Sequence, residues 1–294
     1  MKNFLVGLAA VAVVAGLLPA PTMGVTITNG LLNTDPNYYA VDFDADGYSG
    51  YGYINVPGYG LENVIFDYYP VVQYGGGVYT AMASASWTDS DPSDGSISAS
   101  GQFGSIAATV THSIAPGDLV AKSSWTLSQG GGLPQDLRVF EYLDEDVMGI
   151  SSNILVPTGS IAAGDLRLLT VEPSWEAGVA QWGDAQATGW AADQYFDLES
   201  ALYSPFDAAA TGTIDTGDLT PHVDPKYGPA YGPEDITTAI EWEFFGGQAS
   251  VRFDAFLGGE PHAQVIIPEP ATMAVWSLLG CLGLSYGWRR RRNK

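Results

Sequence analysis

Apolar and polar residues alternate with a period of two in short segments throughout residues 25–267, and each segment is bounded by Gly, Pro, Asp or Ser. This alternation, with enrichment in β-branched and aromatic residues, is typical of strands that bury one face. A series of such segments predicts an all-β fold, a large single antiparallel β-sandwich. The predicted strands are residues 40–45, 51–56, 63–69, 79–87, 105–114, 119–127, 137–143, 166–171, 236–244 and 250–256.

Three local patterns refine this prediction. Residues 236–244 and 250–256 flank Gly246-Gly247, which predicts a hairpin near the end of the body. Residues 190–203 carry apolar side chains at helical spacing before Pro205, which predicts one short helix. The Pro- and Gly-rich stretch 220–233 predicts a long surface loop rather than a linker between domains.

The two ends of the chain have a different composition from the body. Residues 1–24 combine Lys2, an apolar stretch and a short segment of small residues, which is typical of a secretory signal peptide. Cleavage is predicted after Gly24 or, alternatively, after Ala20. Residues 271–288 carry no charge and would span about 27 Å as a helix, close to the thickness of a bilayer core. They predict a transmembrane helix, and the basic cluster Arg289, Arg290, Arg291 and Arg292 keeps that end cytoplasmic.

Charge excludes one class of partner. The formal net charge of the chain is -22, and five basic residues oppose 32 acidic ones within residues 25–267. Such a surface repels polyanions, so nucleic acid is excluded as a partner. The single cysteine, Cys281, lies in the apolar C-terminal run, so the body must rest on its hydrophobic core without a disulfide.

The C-terminal sequence adds a resemblance to a known family. Pro268, Glu269 and Pro270 stand directly before the uncharged span and its arginine-rich end. This order resembles the tail of bacterial PEP-CTERM sorting-domain proteins. The resemblance implies three segments: a signal peptide at 1–24, a β-sandwich domain at 25–267 and a sorting tail at 268–294. The body also loosely resembles the large β-sandwich domains that precede such tails.

The resemblance implies partners and a location. It implies that an exosortase-type enzyme cuts the tail near the triplet after transient insertion into the inner membrane. The protein would then reach the cell envelope, cell surface or extracellular matrix of a bacterium that makes exopolysaccharide. The alternative is a plain single-span membrane anchor.

One stretch resembles the opening of a calcium loop. Asp42, Asp44 and Asp46 precede Gly47 with the spacing D-x-D-x-D-G, but position twelve of the loop is Tyr53 rather than a bidentate carboxylate. Two interpretations follow. Either the three aspartates point outward from a strand whose intervening apolar residues face the core, or they form a weak calcium site with a carboxylate from elsewhere. Calcium is the only candidate cofactor.

Other polar residues are weaker candidates. Glu241 and Glu243 would lie about 7 Å apart on one strand face, a spacing compatible with glycosidase carboxylates but expected on any acidic surface. Two acidic clusters predict solvated loops, and three histidines are scattered without metal-ligand spacing. These residues are Asp89, Asp91, Asp94, Asp144, Glu145, Asp146, His112, His222 and His262.

Aromatic density gives the last signal. Ten of the sixteen tyrosines fall between Tyr38 and Tyr79, where they pack as ordinary strand residues or stack against sugar rings. No residue set identifies a reaction, so no catalytic residue is predicted. The expected function is a non-enzymatic structural or adhesive role linked to exopolysaccharide. The alternative is a protein that binds or degrades polysaccharide, with calcium as its candidate cofactor.

Overall fold

The computed structural model describes residues 24–145, 153–174, 177–203 and 219–261, and in these ranges the chain is almost entirely β-structure. Within them it forms one α-helix, α1 (Tyr195–Tyr203), and nineteen strands. The strands are β1 (Val25–Thr28), β2 (Tyr39–Phe43), β3 (Tyr51–Val56), β4 (Gly60–Ile65), β5 (Asp67–Tyr74), β6 (Gly77–Tyr79), β7 (Ala83–Asp89), β8 (Ser96–Phe103), β9 (Ile106–Ile114), β10 (Val120–Ser128), β11 (Leu137–Asp144), β12 (Asn153–Thr158), β13 (Arg167–Glu172), β14 (Ala177–Gly183), β15 (Gly189–Gln194), β16 (Pro221–Asp224), β17 (Gly228–Glu234), β18 (Ile236–Phe244) and β19 (Ser250–Glu260).

The strands form three antiparallel sheets, which confirms the predicted all-β class. A four-stranded sheet has the order β1-β2-β3-β4, and a five-stranded sheet has the order β15-β18-β11-β5-β6. The third sheet is ten-stranded, with the order β16-β17-β12-β13-β14-β19-β10-β9-β8-β7. Strand β19 therefore lies in the middle of the largest sheet.

The two smaller sheets pack against the same face of the ten-stranded sheet. Ile97 and Leu257 of that face join the core under the four-stranded sheet. Trp125 and Phe253, also on that face, join the core under the five-stranded sheet. The molecule is therefore a sandwich whose second layer is split in two, which refines the prediction of a simple sandwich.

The predicted hairpin between residues 236–244 and 250–256 is wrong. Strand β18 pairs with β11 and β15 in the five-stranded sheet, whereas β19 pairs with β10 and β14 in the ten-stranded sheet. The apolar side chains of the two strands face each other across the core, with the rings of Trp242 and Phe253 4.7 Å apart. Gly246-Gly247 thus carries the chain from one layer to the other. In this arrangement the apolar face of β18 and the apolar face of β19 bury each other.

The predicted helix over residues 190–203 is only partly correct. Its first part is β15, which pairs with β18, and α1 begins at Tyr195. Leu198 and Leu202 of α1 pack with Tyr69 and Phe140 on the outer face of the five-stranded sheet. Pairing with a neighbouring strand therefore overrides the helical spacing of the first residues.

Two further expectations need correction. The predicted strand 63–69 is divided, because β4 ends at Ile65 and β5 begins at Asp67 in a different sheet. The predicted loop 220–233 contains β16 and β17 at one edge of the ten-stranded sheet. Prolines are tolerated there because β17 pairs irregularly with β12 and β16 forms the edge.

No helix in the described ranges is both long and apolar enough to cross a membrane. The predicted sorting tail, residues 268–294, lies outside those ranges, as do residues 1–23 of the predicted signal peptide.

Candidate functional site

A pocket of about 270 Å³ opens where the four-stranded and five-stranded sheets meet. The chain crosses from β4 to β5 at this point, and a bridge between Ser49 and Tyr68 joins the segment after β2 to β5. We call this site the acidic–aromatic pocket. Its lining residues are Gly24, Asp42, Asp44, Tyr48, Gly50, Tyr51, Phe66 and Asp67.

A tight turn after β2 shapes one wall of the pocket. The backbone N–H of Gly47 donates to the carbonyl of Asp44 at 3.1 Å, and the N–H of Asp44 donates to the carbonyl of Tyr48 at 2.7 Å. Gly47 has a φ of +94°, and a Cβ at this position would lie 2.6 Å from Cη2 of Trp125. Only glycine fits both the turn and the close approach to this buried ring.

Two carboxyl groups of the wall face the same point. A Cβ on Gly24 would lie 2.9 Å from Oδ1 of Asp42 and 3.1 Å from Oδ1 of Asp44, so the two carboxyls are close neighbours. Partial burial raises the pKa of Asp44 to about 6, and the negative charges of Asp46 and Asp42 add to this shift. The wall therefore concentrates negative charge at a partly desolvated place.

The third carboxyl of the pocket comes from the other sheet. Asp67 begins β5, and its Oδ1 accepts a hydrogen bond from the hydroxyl of Tyr48. Partial burial raises the pKa of Asp67, and the charge of Glu199 raises it further, whereas the bond from Tyr48 lowers it. Burial and the bond to Asp67 also raise the pKa of Tyr48.

Two half-exposed aromatic rings complete the lining. The exposed fraction is 53% for Tyr51 and 49% for Phe66. Tyr51 also stacks with Tyr53 on the outer face of β3, with ring centroids 6.1 Å apart and planes 13° apart. Aromatic faces next to hydrogen-bond acceptors can hold a ligand that has both an apolar face and polar edges.

The structure brings together part of the predicted calcium motif. Asp42 and Asp44 line the pocket, and the apolar residues between the aspartates are fully buried, as the strand interpretation predicts. Asp46 does not line the pocket, because its Oδ1 accepts from the N–H of Tyr48 at 3.2 Å; Asp67 takes its place. In the described ranges no group of three or more His, Cys, Asp or Glu side chains is arranged to hold a metal ion, and calcium binding stays a prediction.

The floor beneath the pocket contains an ionisable group that the sequence analysis did not single out. Glu141 is fully buried, and burial raises its pKa to about 8, an effect that the neighbouring polar groups of Tyr68 and Trp125 oppose. Trp125 also lies directly under Gly47. The turn of the pocket therefore rests on a buried cluster.

The glutamate pair on β18 does not form an open site. Glu241 is 3% exposed, and its Oε1 lies 3.8 Å from Nε of Arg138. Glu243 is exposed. The expectation that both lie on an exposed face is therefore wrong for Glu241, because residues 236–242 of β18 are buried.

The first predicted acidic loop is confirmed. Asp89, Asp91 and Asp94 are exposed. Asp91 caps the short 3₁₀ turn of Pro92–Asp94 by accepting from the N–H of Ser93 at 3.0 Å. These carboxylates therefore have a local structural role.

The second predicted acidic loop is wrong for the residues that are described. Asp144 and Glu145 are buried, and Glu145 accepts hydrogen bonds from Thr238 at 2.6 Å and Thr170 at 3.1 Å. Burial raises the pKa of Glu145 well above its usual value. Asp146 lies outside the described residues.

The histidines do not converge on a site. His112 is fully buried, stacks on Phe43 with ring centroids 3.8 Å apart, and has Nδ1 2.9 Å from Oγ of Ser123. Burial lowers its pKa to about 3, so it is neutral. His222 belongs to β16, and His262 lies outside the described residues.

A second group of surface aromatic residues lies on the ten-stranded sheet. Trp182 of β14 and Phe256 of β19 stack with ring centroids 5.5 Å apart. Arg167 lies over Trp182, with Cζ 5.0 Å from the ring centroid, and Lys122 lies over Phe256, with Nζ 5.7 Å from its centroid. We call these four residues the cation–aromatic row.

Phe66 and Asp67 are not predicted as pocket residues, and Tyr48 and Tyr51 enter the prediction only as members of the tyrosine-rich stretch 38–79. One signal was present, because the run Val64 to Phe66 followed by Asp67 breaks the alternation inside the predicted strand 63–69. That break marks the passage between sheets where the pocket lies. Sequence spacing alone gives no sign that Asp67 meets Asp42 and Asp44.

No protein-family model and no curated protein matches the chain. Among solved structures, the chain is similar to a bacterial glucoamylase complexed with acarbose, with a TM-score of 0.55 and 11% sequence identity. The match covers 83% of this chain and 33% of the glucoamylase, so the chain spans about a third of that protein's length. At this identity the likeness shows the β-sandwich fold alone.

A looser likeness joins the chain to a galactose mutarotase related enzyme from Lactobacillus acidophilus, with a TM-score of 0.40 and 7% identity. It covers 83% of this chain and 100% of that enzyme. A TM-score this low carries no argument about fold or function.

Proposed function

We propose that the protein is an exported, non-enzymatic component of the cell envelope or extracellular matrix that adheres to polysaccharide through the acidic–aromatic pocket. One observation carries the proposal: Tyr51 and Phe66 are half-exposed beside three carboxyl groups. Sugars have apolar C–H faces that stack on aromatic rings and hydroxyl edges that donate to carboxylates. The pocket offers both kinds of contact within one small volume.

Contacts that fix the lining of the pocket support a binding role. Gly47 fixes the turn against Trp125, and the Tyr48 hydroxyl holds Asp67. A preformed site loses little conformational entropy when it binds a ligand. A surface protein with such a site can hold extended glycan chains without reacting with them.

Export and sorting form the other half of the proposal. Residues 1–24 direct the chain out of the cytoplasm, and Pro268, Glu269 and Pro270 mark the site where an exosortase-type enzyme removes the tail. Proline cannot join a helix interior, so the triplet keeps the junction extended and accessible. The arginines 289–292 hold the span in the inner membrane until that step.

Binding is tested by calorimetry of the full-length protein with neutral glucan, N-acetylhexosamine, hexosamine and uronate oligosaccharides. Tyr51→Ala should weaken binding by about threefold to tenfold, the loss expected for one aromatic stacking contact. Tyr59→Ala is a matched control, because Tyr59 is 52% exposed and lies outside the pocket. Equal effects of the two variants, or no binding to any oligosaccharide, would exclude the pocket as a glycan site.

Sorting is tested by mass spectrometry of the envelope fraction from a host that contains the sorting enzyme. We expect a mature protein that lacks residues 271–294. Changing Pro268-Glu269-Pro270 to alanines should leave membrane insertion intact and block release. A mature wild-type protein that still carries the tail would identify a plain membrane anchor.

The alternative from the sequence is an enzyme that degrades polysaccharide. The same oligosaccharides, incubated with the protein and separated by chromatography, decide this point. Shorter products formed by the wild type and not by Asp44→Asn would replace the adhesive role with a catalytic one at the same pocket.

A further inference from the structure

We propose that the acidic–aromatic pocket selects saccharides that carry a free, protonated amine, such as hexosamine units without an N-acetyl group. The inference rests on the proposed glycan-binding function and names the class of glycan. It follows from the charges of the pocket, the positions of the basic residues of the chain, and the aromatic lining.

The pocket contains three carboxyl groups and no basic side chain. Asp42, Asp44 and Asp67 line it together with glycines and aromatic residues. Asp42 and Asp44 approach the same point beside Gly24. Like charges at a partly buried place raise the free energy of the folded state unless a cation joins them.

The described chain does not supply that cation, because each of its five basic side chains lies against another group. Two of them share one aspartate: Lys122 Nζ is 2.7 Å and Arg252 Nη2 is 4.0 Å from carboxyl oxygens of Asp254. Arg138 faces Glu241 at 3.8 Å. The other two contacts are Arg167 with Glu260 and Lys226 with the ring of Tyr227.

The geometry favours an organic cation over a metal ion. The described residues contain no group of three or more acidic or histidine side chains arranged around one ion. A sugar ammonium carries three N–H donors on a bulky ring, so it can donate to carboxyls on two walls of the pocket at once. Asp44 follows β2 of the four-stranded sheet and Asp67 begins β5 of the five-stranded sheet, so the two carboxyls lie on different walls of the pocket.

The aromatic lining indicates that the cation is carried by a sugar. Tyr51 and Phe66 are about half exposed and line the pocket with the carboxyls, and the negative face of an aromatic ring attracts a nearby ammonium. A simple polyamine has charge without a flat apolar face, and a neutral sugar has the face without the charge. An amino sugar satisfies both parts of the lining.

The acidic surface excludes the opposite class. With a net charge of -22, the chain repels uronate polymers, and the three pocket carboxyls repel them at short range. Acetylation of the amine removes its charge and adds bulk. The predicted order of affinity is therefore free hexosamine, then neutral or N-acetylated sugar, then uronate.

The test is calorimetry of the full-length protein at pH 6.5 with glucosamine, N-acetylglucosamine, glucose and glucuronate oligomers of equal length, and with spermidine. Glucosamine oligomers should bind about tenfold to a hundredfold more tightly than the acetylated ones, as expected for charge-assisted hydrogen bonds. Asp67→Asn should remove most of this preference. Asp89→Asn changes an exposed carboxylate at the end of β7, outside the pocket, so it is the matched control and should leave the preference unchanged.

The outcomes separate the two levels of the proposal. Equal binding of glucosamine and N-acetylglucosamine oligomers would overturn the amine preference and leave glycan binding intact. Binding of no oligomer would overturn both. Spermidine binding as tight as that of glucosamine oligomers, with both unaffected by Tyr51→Ala, would show general attraction to an acidic protein and also overturn the amine preference.

Discussion

The acidic–aromatic pocket and the cation–aromatic row use similar rings in opposite ways. In the row, Arg167 covers Trp182 and Lys122 covers Phe256, so the chain's own cations occupy the aromatic faces. In the pocket, Tyr51 and Phe66 keep about half of their surface exposed beside carboxyls. The aromatic rings of the row are already in contact with cations of the protein, whereas no basic side chain lines the pocket.

The difference shows how an acidic protein distributes its few cations. Arg167 and Lys122 reach across the row to Glu260 and Asp254, so each cation meets both a ring and a carboxylate. Those contacts stabilise the sheet and leave nothing for a ligand. The pocket lacks such cations and therefore keeps its binding capacity at a cost in stability.

The largest expected effect separates the two tryptophans that support these regions. Trp125 is 1% exposed beneath the turn of the pocket, and Trp125→Ala should lower the free energy of unfolding by about 3–5 kcal/mol. Trp182 is only partly buried on the outer face, and Trp182→Ala should cost at most about 2 kcal/mol. Guanidinium denaturation measures both. Equal losses of stability would mean that Trp182 contributes as much to the core as Trp125 does.

The next effect concerns pH. The pKa of Asp44 in the folded protein is about 6, above its usual 3.8, so the stability gained from protonation is present below pH 3.8 and is lost as pH rises through 6. Because the side chain is only partly buried, screening by solvent limits the cost at pH 7.5 to about 1 kcal/mol. Asp44→Asn should therefore raise Tm by about 2–4 °C at pH 7.5 and leave it unchanged at pH 3.5.

Thermal denaturation at the two pH values checks this prediction, with Asp89→Asn as the control. A variant that is less stable than the wild type at pH 7.5 would show that Asp44 already has a favourable partner. In that case the carboxyls of the pocket, like the rings of the row, would already be paired with groups of the protein.

A smaller effect is expected in the row itself. A double-mutant cycle of Arg167→Ala and Trp182→Ala should give a coupling of about 0.5–1 kcal/mol for the contact between cation and ring. Neither variant should change oligosaccharide binding, because neither residue lines the pocket. A loss of binding in Arg167→Ala would place the ligand on the row instead.

The smallest expected effect is that of calcium. A weak site in the pocket would stabilise the protein by about 0.4 kcal/mol when the calcium concentration equals Kd. The small rise in Tm should vanish in Asp67→Asn and persist in Asp46→Asn, because Asp67 lines the pocket and Asp46 does not. The reverse dependence would restore the linear motif of Asp42, Asp44 and Asp46 as the site.

Period-two alternation predicted the fold class well because most strands bury one face. The predicted segments 51–56 and 236–244 coincide with β3 and β18. Strand β8 was missed because its alternating residues are mostly serine, alanine and glycine, which give little hydrophobic contrast. Alternation also carries no information about layers, so β18 and β19 were paired wrongly.

The candidate site was predictable only in part. Asp42 and Asp44 stood out because they share a recognisable spacing within one segment. Asp67 did not, because its partnership with them depends on how two sheets meet. The run of acidic residues predicts Glu145 in a solvated loop, yet the side chain is buried and its Oε1 accepts hydrogen bonds from Thr170 and Thr238.

The central position of β19 sets how the body bears mechanical load. A force applied at the end of β19 acts on a strand that is hydrogen-bonded on both sides, to β10 and to β14, rather than on a strand at a sheet edge. Tension directed along β19 therefore loads two rows of hydrogen bonds in shear, and many bonds must break together. The same tension on an edge strand such as β7 would load a single row of bonds, so β19 is the stronger of the two attachment points.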